Sequence, residues 1–432
     1  MKLIKLITLL TVCVGITNAQ QTPAKKQSKA IAIIGATTHI GNGEVISNSL
    51  VSFNKGIIES IALYTGSEDL SKMKVIDATG QHIYPGFIVA NSTLGLIEID
   101  AVRATDDDQE IGTWNPHIRS LIAYNAESKV VESMRPNGVL LAQVTPRGGR
   151  ISGTSSVVQL DAWNWEDAVI KSDNGIHLNW PRILSRGRWR LGEDRGLKSN
   201  PKYSSQVAEI DSYFKGAKAN SNTTEGLQNL PLAAMKGLFD SSKTLFIHVN
   251  TEKAIMDAVE FTKQQALTKV VIVGAYEAFK VADYLKENKI AVLLQRVHSR
   301  PNNDDNDYDL PFKMASLLVK AGITVGLETS GDMERMNSRN LPFYAGTTAA
   351  YGLTKEQALQ LITLNTAKIL GIDSNYGSLE VGKSATLFIS KGDALDMRTN
   401  HLTNAFIDGR KISLETHQTE LWKRYSKKYS HQ

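Results

Sequence analysis

The chain has 432 residues, with nine histidines and a single cysteine. One cysteine excludes disulfide scaffolds, thiolate zinc fingers and iron–sulfur centres. Forty-two per cent hydrophobic and 22 per cent charged residues exclude a disordered chain, and a formal net charge of +5 is too slight to imply nucleic acid.

Lys2 and Lys5 precede or interrupt an apolar run, Leu3 to Ile16, that ends in Thr17-Asn18-Ala19. A basic start, an apolar core and small residues before a break predict a secretory signal peptide over 1–19, cut after Ala19. An apolar run of about 14 residues is too short to span a bilayer. The mature chain is therefore expected to be exported, periplasmic or extracellular, without a transmembrane helix. Leu10-Thr11-Val12-Cys13 loosely fits a lipoprotein site, but Val12 is bulky just before the cysteine. Residues 20–29, QQTPAKKQSK, read as a polar linker.

From Ala30 to Gln81, short β-branched runs (Ile31–Ile34, Leu50–Phe53, Ile57–Ile61, Lys74–Ile76) alternate with turn residues such as Gly41-Asn42-Gly43. The same style returns at Ala385–Ile389 and Asn404–Ile407. Together, 30–82 and 376–415 predict one composite β domain. Between them, 83–371 alternates apolar runs with helical periodicity. Ile83–Val89, Val139–Val144, Leu245–Val249, Val270–Val273, Ile290–Leu294 and Ile323–Leu327 read as strands, and Ser156–Leu160 and Gly175–Trp180 as weaker ones. Glu252–Gln265, Ala278–Glu287 and Phe312–Lys320 read as helices, and Thr354 caps a helix Glu356–Leu370 that ends at Gly371. This α/β pattern predicts a (β/α)8 barrel with a split β-sandwich domain, the site lying at the carboxyl ends of the strands. Residues 416–432 form a tail.

Three segments carry a resemblance. Asn54–Ile58 with Ile76–Gln81 and Tyr84-Pro85-Gly86-Phe87-Ile88, then LITLNTAKILG over 361–371, then GSLEVGKSATLFI over 377–389 are similar to the amidohydrolase superfamily, in particular its imidazolonepropionase-like branch. Thr386 stands where that family usually has Asp. The resemblance implies a hydrolase of non-peptide C–N bonds in which a divalent metal, zinc, activates water. It also implies an HxH metal pair after Pro-Gly, and here those positions are Asn91 and Thr93, weak neutral donors. His248 matches the family's strand-five histidine. The strand-six ligand falls near Gly274, with Glu277 the nearest ionisable group, and no lysine is placed at strand four. Glu328 or Asp332 matches the strand-eight acid and proton acceptor, with Asp332 the favoured catalytic residue. The expected metal set is thus His248 with Asn91 at most, one ion weakly held or none.

Thr145–Thr154 follows the second strand and carries Arg147, Gly148, Gly149 and Arg150. A Gly-rich loop with two arginines suits an anionic group of a small-molecule ligand, and a solvated turn is the plain alternative. Trp163-Asn164-Trp165, Asn179-Trp180-Pro181 and Arg186–Arg190 read as a packed barrel insertion. Asp305, Asp307 and Asp309 have calcium-loop spacing, but Leu310 takes the glycine position and no glutamate closes the loop, so a solvated loop is expected. Two function classes follow. One is an exported C–N hydrolase. The other is a barrel that has lost its chemistry and serves as a binding protein, or as an oligomer partner of itself or of an active homologue.

Overall fold

The computed structural model describes residues 22–186, 192, 196–221 and 229–430. The predicted signal peptide and Arg188-Trp189-Arg190 lie outside them. Strands β1 (Ile31–His39), β2 (Val45–Asn54), β3 (Ile57–Leu63), β4 (Lys74–Asp77) and β5 (His82–Pro85) build one sheet with three strands from the other end of the chain. Bulges between Ile34 and Thr38 divide β1 between two neighbours, β4 along its first half and β5 along its second. The sheet curls until Ile58 N–H donates to Lys383 O and Ala385 N–H to Gly56 O, each at 2.8–2.9 Å. Ile33, Val51 and Phe53 then pack with Leu387, Ile389 and Phe406 in one core.

A barrel begins one residue after β5, because Gly86 divides the run read as a single strand. Its strands are β6 (Phe87–Ser92), β7 (Val139–Val144), β8 (Ile151–Gln159), β9 (Val169–Asn179), then, after a small hairpin β10 (Leu184–Arg186) and β11 (Leu197–Ser199), β12 (Thr244–Val249), β13 (Val270–Gly274), β14 (Ala291–Leu294) and β15 (Val325–Leu327). Most are buried on both faces, which is why they read as continuous apolar runs. Ile88, Leu141, Val157, Phe246, Val273 and Leu293 fill the interior.

The barrel expectation holds, with one departure. β8 runs antiparallel to both β7 and β9. Parallel neighbours need a crossover of a dozen or more residues, whereas the connections 145–150 and 160–168 are hairpin length. The predicted helix 356–370 is also broken. Thr354 caps Lys355–Gln360 in a full capping box, and a second helix runs Leu364–Leu370 to Gly371. Between them, Leu361 O accepts from Leu327 N–H and Ile362 O from Ile88 N–H, which closes the barrel between β15 and β6. An unbroken helix would have kept those carbonyls for itself.

The stretch read as a linker is seated instead. Pro23 is buried, Ala24 N–H donates to Asp161 at 2.9 Å, and Gln27 bonds Phe53 O and Gly56 N–H. After β16 (Leu387–Ser390), β17 (Leu402–Ile407) and β18 (Arg410–Lys411), the expected tail forms a helix, His417–Tyr429, pinned where His417 N–H meets Glu132. In the insertion, Trp180 is buried and donates to Tyr203 of the helix Tyr203–Ser221. No helix among the described residues is long and apolar enough to cross a membrane.

Candidate functional site at the barrel mouth

Alternate residues of a strand share a face, so the upper interior of the barrel gathers one polar residue or more from most strands. Asn91 and Thr93 come from the end of β6, Gln143 from β7, Ser155 from β8, His177 from β9, His248 from β12 and Glu328 from just past β15. Asn91 turns into the left-handed region, φ 49°, which an asparagine tolerates. Its N–H donates to Gln143 Oε1 at 3.0 Å, and its amide nitrogen to Glu328 Oε2 at 3.3 Å.

Gln143 Nε2 donates to Ser155 Oγ at 3.0 Å, and Ser155 Oγ lies 2.9 Å from His177 Nε2. His177 Nδ1 in turn lies 2.9 Å from His248 Nε2. His177 also stacks on Phe246, with ring planes 4° apart. Burial first, then neighbouring positive charge, pushes His248 down to about 3 and His177 well below the usual histidine range. Both rings are neutral at neutral pH. Glu328 takes Ser330 N–H at 2.6 Å and Ser330 Oγ at 2.7 Å, yet burial dominates and raises its pKa to about 7.

Arg147 reaches across the mouth. Nη1 donates to Asn91 Oδ1 at 3.0 Å, and Nη2 donates to Asn91 O and to Glu334 Oε1, both at 2.8 Å. Glu334 Oε1 also accepts Thr93 N–H at 3.0 Å. The two arginines of the Gly-rich loop therefore both meet protein acceptors, since Arg150 donates to Asn179 O. Asn179 in turn donates to Gly148 O and Gly149 O. The loop's glycines admit the chain's own backbone. A Cβ on Gly149 would lie 3.0 Å from Thr113 O, and one on Gly153 would lie 2.6 Å from Ile118 O. The sequence left this loop open between wrapping a ligand and a solvated turn, and in the structure the segment 109–118 packs against it.

Of the strand-eight acids, Glu328 sits at the strand end, bridged to Ala90. Asp332, favoured on the family resemblance, lies in an exposed turn where its carbonyl accepts from Arg296 and Asn337. Glu277 accepts Glu252 N–H and pairs with Lys280 away from His248. Asp307 and Asp309 pair with Lys313, as befits a solvated loop. Sequence reasoning missed His177, whose strand was read but whose register was not, and Gln143, Ser155 and Glu334. The alternation Gly175, His177, Asn179 was the available signal.

A divalent metal does not fit these donors. Asn91 Oδ1 already faces a guanidinium, His248 Nε2 faces His177, and both Glu328 oxygens take hydrogen bonds from Ser330. Among the described residues no three His, Cys, Asp or Glu side chains form a ligand group. Beside the mouth, a cleft of about 940 Å3 opens over the ends of β12 and β13, lined by Asn250, Tyr276, Glu277, Asp305 and the apolar Leu184 and Leu197 of the β10–β11 hairpin.

A model of the amidohydrolase family matches residues 278–413. The chain is 24% identical over 80% of both sequences to a 5'-deoxyadenosine deaminase from Methanobrevibacter smithii. It is 30% identical to an imidazolonepropionase from Flavobacterium psychrophilum over 24% of this chain and 27% of that one. Its fold matches a crystal structure of an amidohydrolase from Thermotoga maritima with a TM-score of 0.76, covering 89% of this chain and 99% of the other at 22% identity. The barrel, the curled sheet built from both ends of the chain and the match over residues 278–413 together make this chain similar to the amidohydrolase family.

Proposed function

We propose that this protein is exported and binds a small molecule carrying a C–N bond, the substrate type of its hydrolase relatives, without hydrolysing it through metal-activated water. One observation carries this reading. Asn91, Thr93, Glu328 and His177 are each 1% exposed or less and bonded to protein groups, and the Nε2 of the partly buried His248 faces His177, so the donors that would hold a reacting water are engaged with one another. The ligand has room in the cleft over β12 and β13 instead, where an apolar wall faces polar and acidic groups. Cleavage after Ala19 is part of the proposal and is read from the mass of the secreted protein.

A second reading, hydrolysis of that C–N bond, is favoured by Glu328, whose pKa near 7 suits proton transfer at neutral pH. One experiment separates the two. Aminopurine nucleosides, N-acyl amino acids, dipeptides and cyclic amides are offered to the purified protein, with melting shifts and product masses recorded in parallel. A melting shift without product, lost in Tyr276→Ala, is the expected result. Product formation abolished by a chelator would overturn the binding reading, and chelator-resistant product lost in Glu328→Gln would establish the second.

A further inference from the structure

Two carboxylates, the buried Glu328 and the partly buried Glu334, converge on the end of β6. A buried carboxylate needs a cation or several donors beside it. In metal-using members of the fold a divalent ion supplies that charge. Here the guanidinium of Arg147 lies against the residue standing at the first position of the metal pair, Asn91, and against Glu334.

We propose that Arg147 is the resident cation of this barrel, a fixed guanidinium in the place of the metal. This assignment rests on the metal-free reading above.

Arg147 is partly buried, its side chain 22% exposed, and its guanidinium is held by several protein oxygens at once. Its two terminal nitrogens meet Asn91 Oδ1, Asn91 O and Glu334 Oε1 at 2.8–3.0 Å, with Thr145 O at 3.4 Å. A guanidinium is planar, always charged and forked, so it satisfies several oxygens at once as an ammonium cannot. The backbone fixes its root, because Arg147 N–H donates to Asp108 O. Asn91 links the two charges: its oxygen accepts from the cation while its nitrogen donates to Glu328, the bridging that a metal-bound imidazole performs with its second N–H.

Thr93 completes the arrangement, since its N–H shares the Glu334 oxygen with Arg147. Its hydroxyl is buried and bonds nothing. The charged and titratable groups facing Arg147 are Glu328 and Glu334, Asp108 from the segment over the mouth, and His177 and His248 from β9 and β12. On this account, Asn91 and Thr93 serve the guanidinium at the positions where the resemblance implies metal-ligating histidines.

The test uses the whole purified protein. Wild type is expected to carry no stoichiometric zinc, manganese or iron by elemental analysis, and to show no upward melting shift with zinc chloride. Arg147→Ala is expected to melt lower than wild type, with a larger drop at pH 8 than at pH 5 because Glu328 is then charged with no cation near it. Arg147→Lys is expected to restore part of the pH 8 loss. The triple variant Asn91→His, Thr93→His, Arg147→Ala is expected to take up one zinc per chain and to melt higher with it. About one metal per wild-type chain, lost in His248→Ala, would overturn both this assignment and the metal-free reading. An Arg147→Ala loss that is equal at the two pH values, or a folded triple variant that takes up no metal, would overturn the assignment alone. Chelator-resistant hydrolysis by a metal-free wild type would sink the binding reading and support Arg147 as the charge that serves it.

Discussion

Glu328 and His248 sit in one polar layer and respond to pH in opposite senses. Burial raises Glu328 from 4.5 to about 7, so its contribution to stability is full below pH 4.5 and is lost as pH rises through 7. The loss amounts to at most about 3 kcal/mol. His248 is depressed from 6.5 to about 3, so its contribution is present above pH 6.5 and is lost as pH falls toward 3. His177 adds to the acid limb. Stability is therefore predicted to peak near about pH 6.5, as read by urea midpoints from pH 4 to 9. In Glu328→Gln the decline above the peak should flatten while the acid limb stays. A decline of unchanged slope in that variant would remove Glu328 as its source. Much of this layer was legible as types but not as partners. His248 declared itself by standing alone in an apolar strand, whereas Arg147 read as a ligand-facing charge because sequence cannot show Asn91 and Glu334 arriving from 56 and 187 residues away.

At the scale of elements, the hairpin β7–β8–β9 is what sets this barrel apart. The sequence did carry a hint, since no helical periodicity separates Val139–Val144 from Gly175–Trp180. Ser156–Leu160 and Gly175–Trp180 were read as weak strands, but their direction depends on loop length rather than on composition. Gly153 holds the hairpin against Ile118, with φ +145° and no space for a side chain. Gly153→Ala should destabilise by about 2 kcal/mol or more, through both strain and overpacking. A midpoint within error of wild type would show that the 109–118 segment yields easily. Thr354 was read from sequence as a cap, the structure adds the reciprocal Gln357 contact of a capping box, and Thr354→Ala should lose about 1 kcal/mol. The break at 361–363 was not legible, because the helical pattern is continuous and only barrel closure competes for those carbonyls.

For the whole molecule, the β sheet and the barrel meet at a buried ion cluster. Asp161 is 2% exposed and lies 3.3 Å from Arg135 and 2.9 Å from Arg410 of β18, while also holding Ala24 N–H. Asp161→Ala would leave two enclosed guanidinium groups without their shared carboxylate, at a cost of about 3–5 kcal/mol. The expected readout is a lower melting temperature together with faster proteolysis of residues 22–29. Loss of only about 0.5 kcal/mol, the level of an exposed pair, would mean that solvent reaches the cluster.

The order of strands in the β sheet also sets a schedule for synthesis. β16 pairs directly with β5, yet about 300 residues separate them. At ribosomal rates of roughly 5–20 residues per second, β5 waits on the order of 15–60 s for its neighbour. During that interval its outer edge offers unpaired backbone groups to any other strand, the situation that drives chains to associate. A chain stopped before Leu387 keeps that edge for good, so truncated products should be recovered as aggregates or degraded, while the finished chain seals the edge with its own last strands.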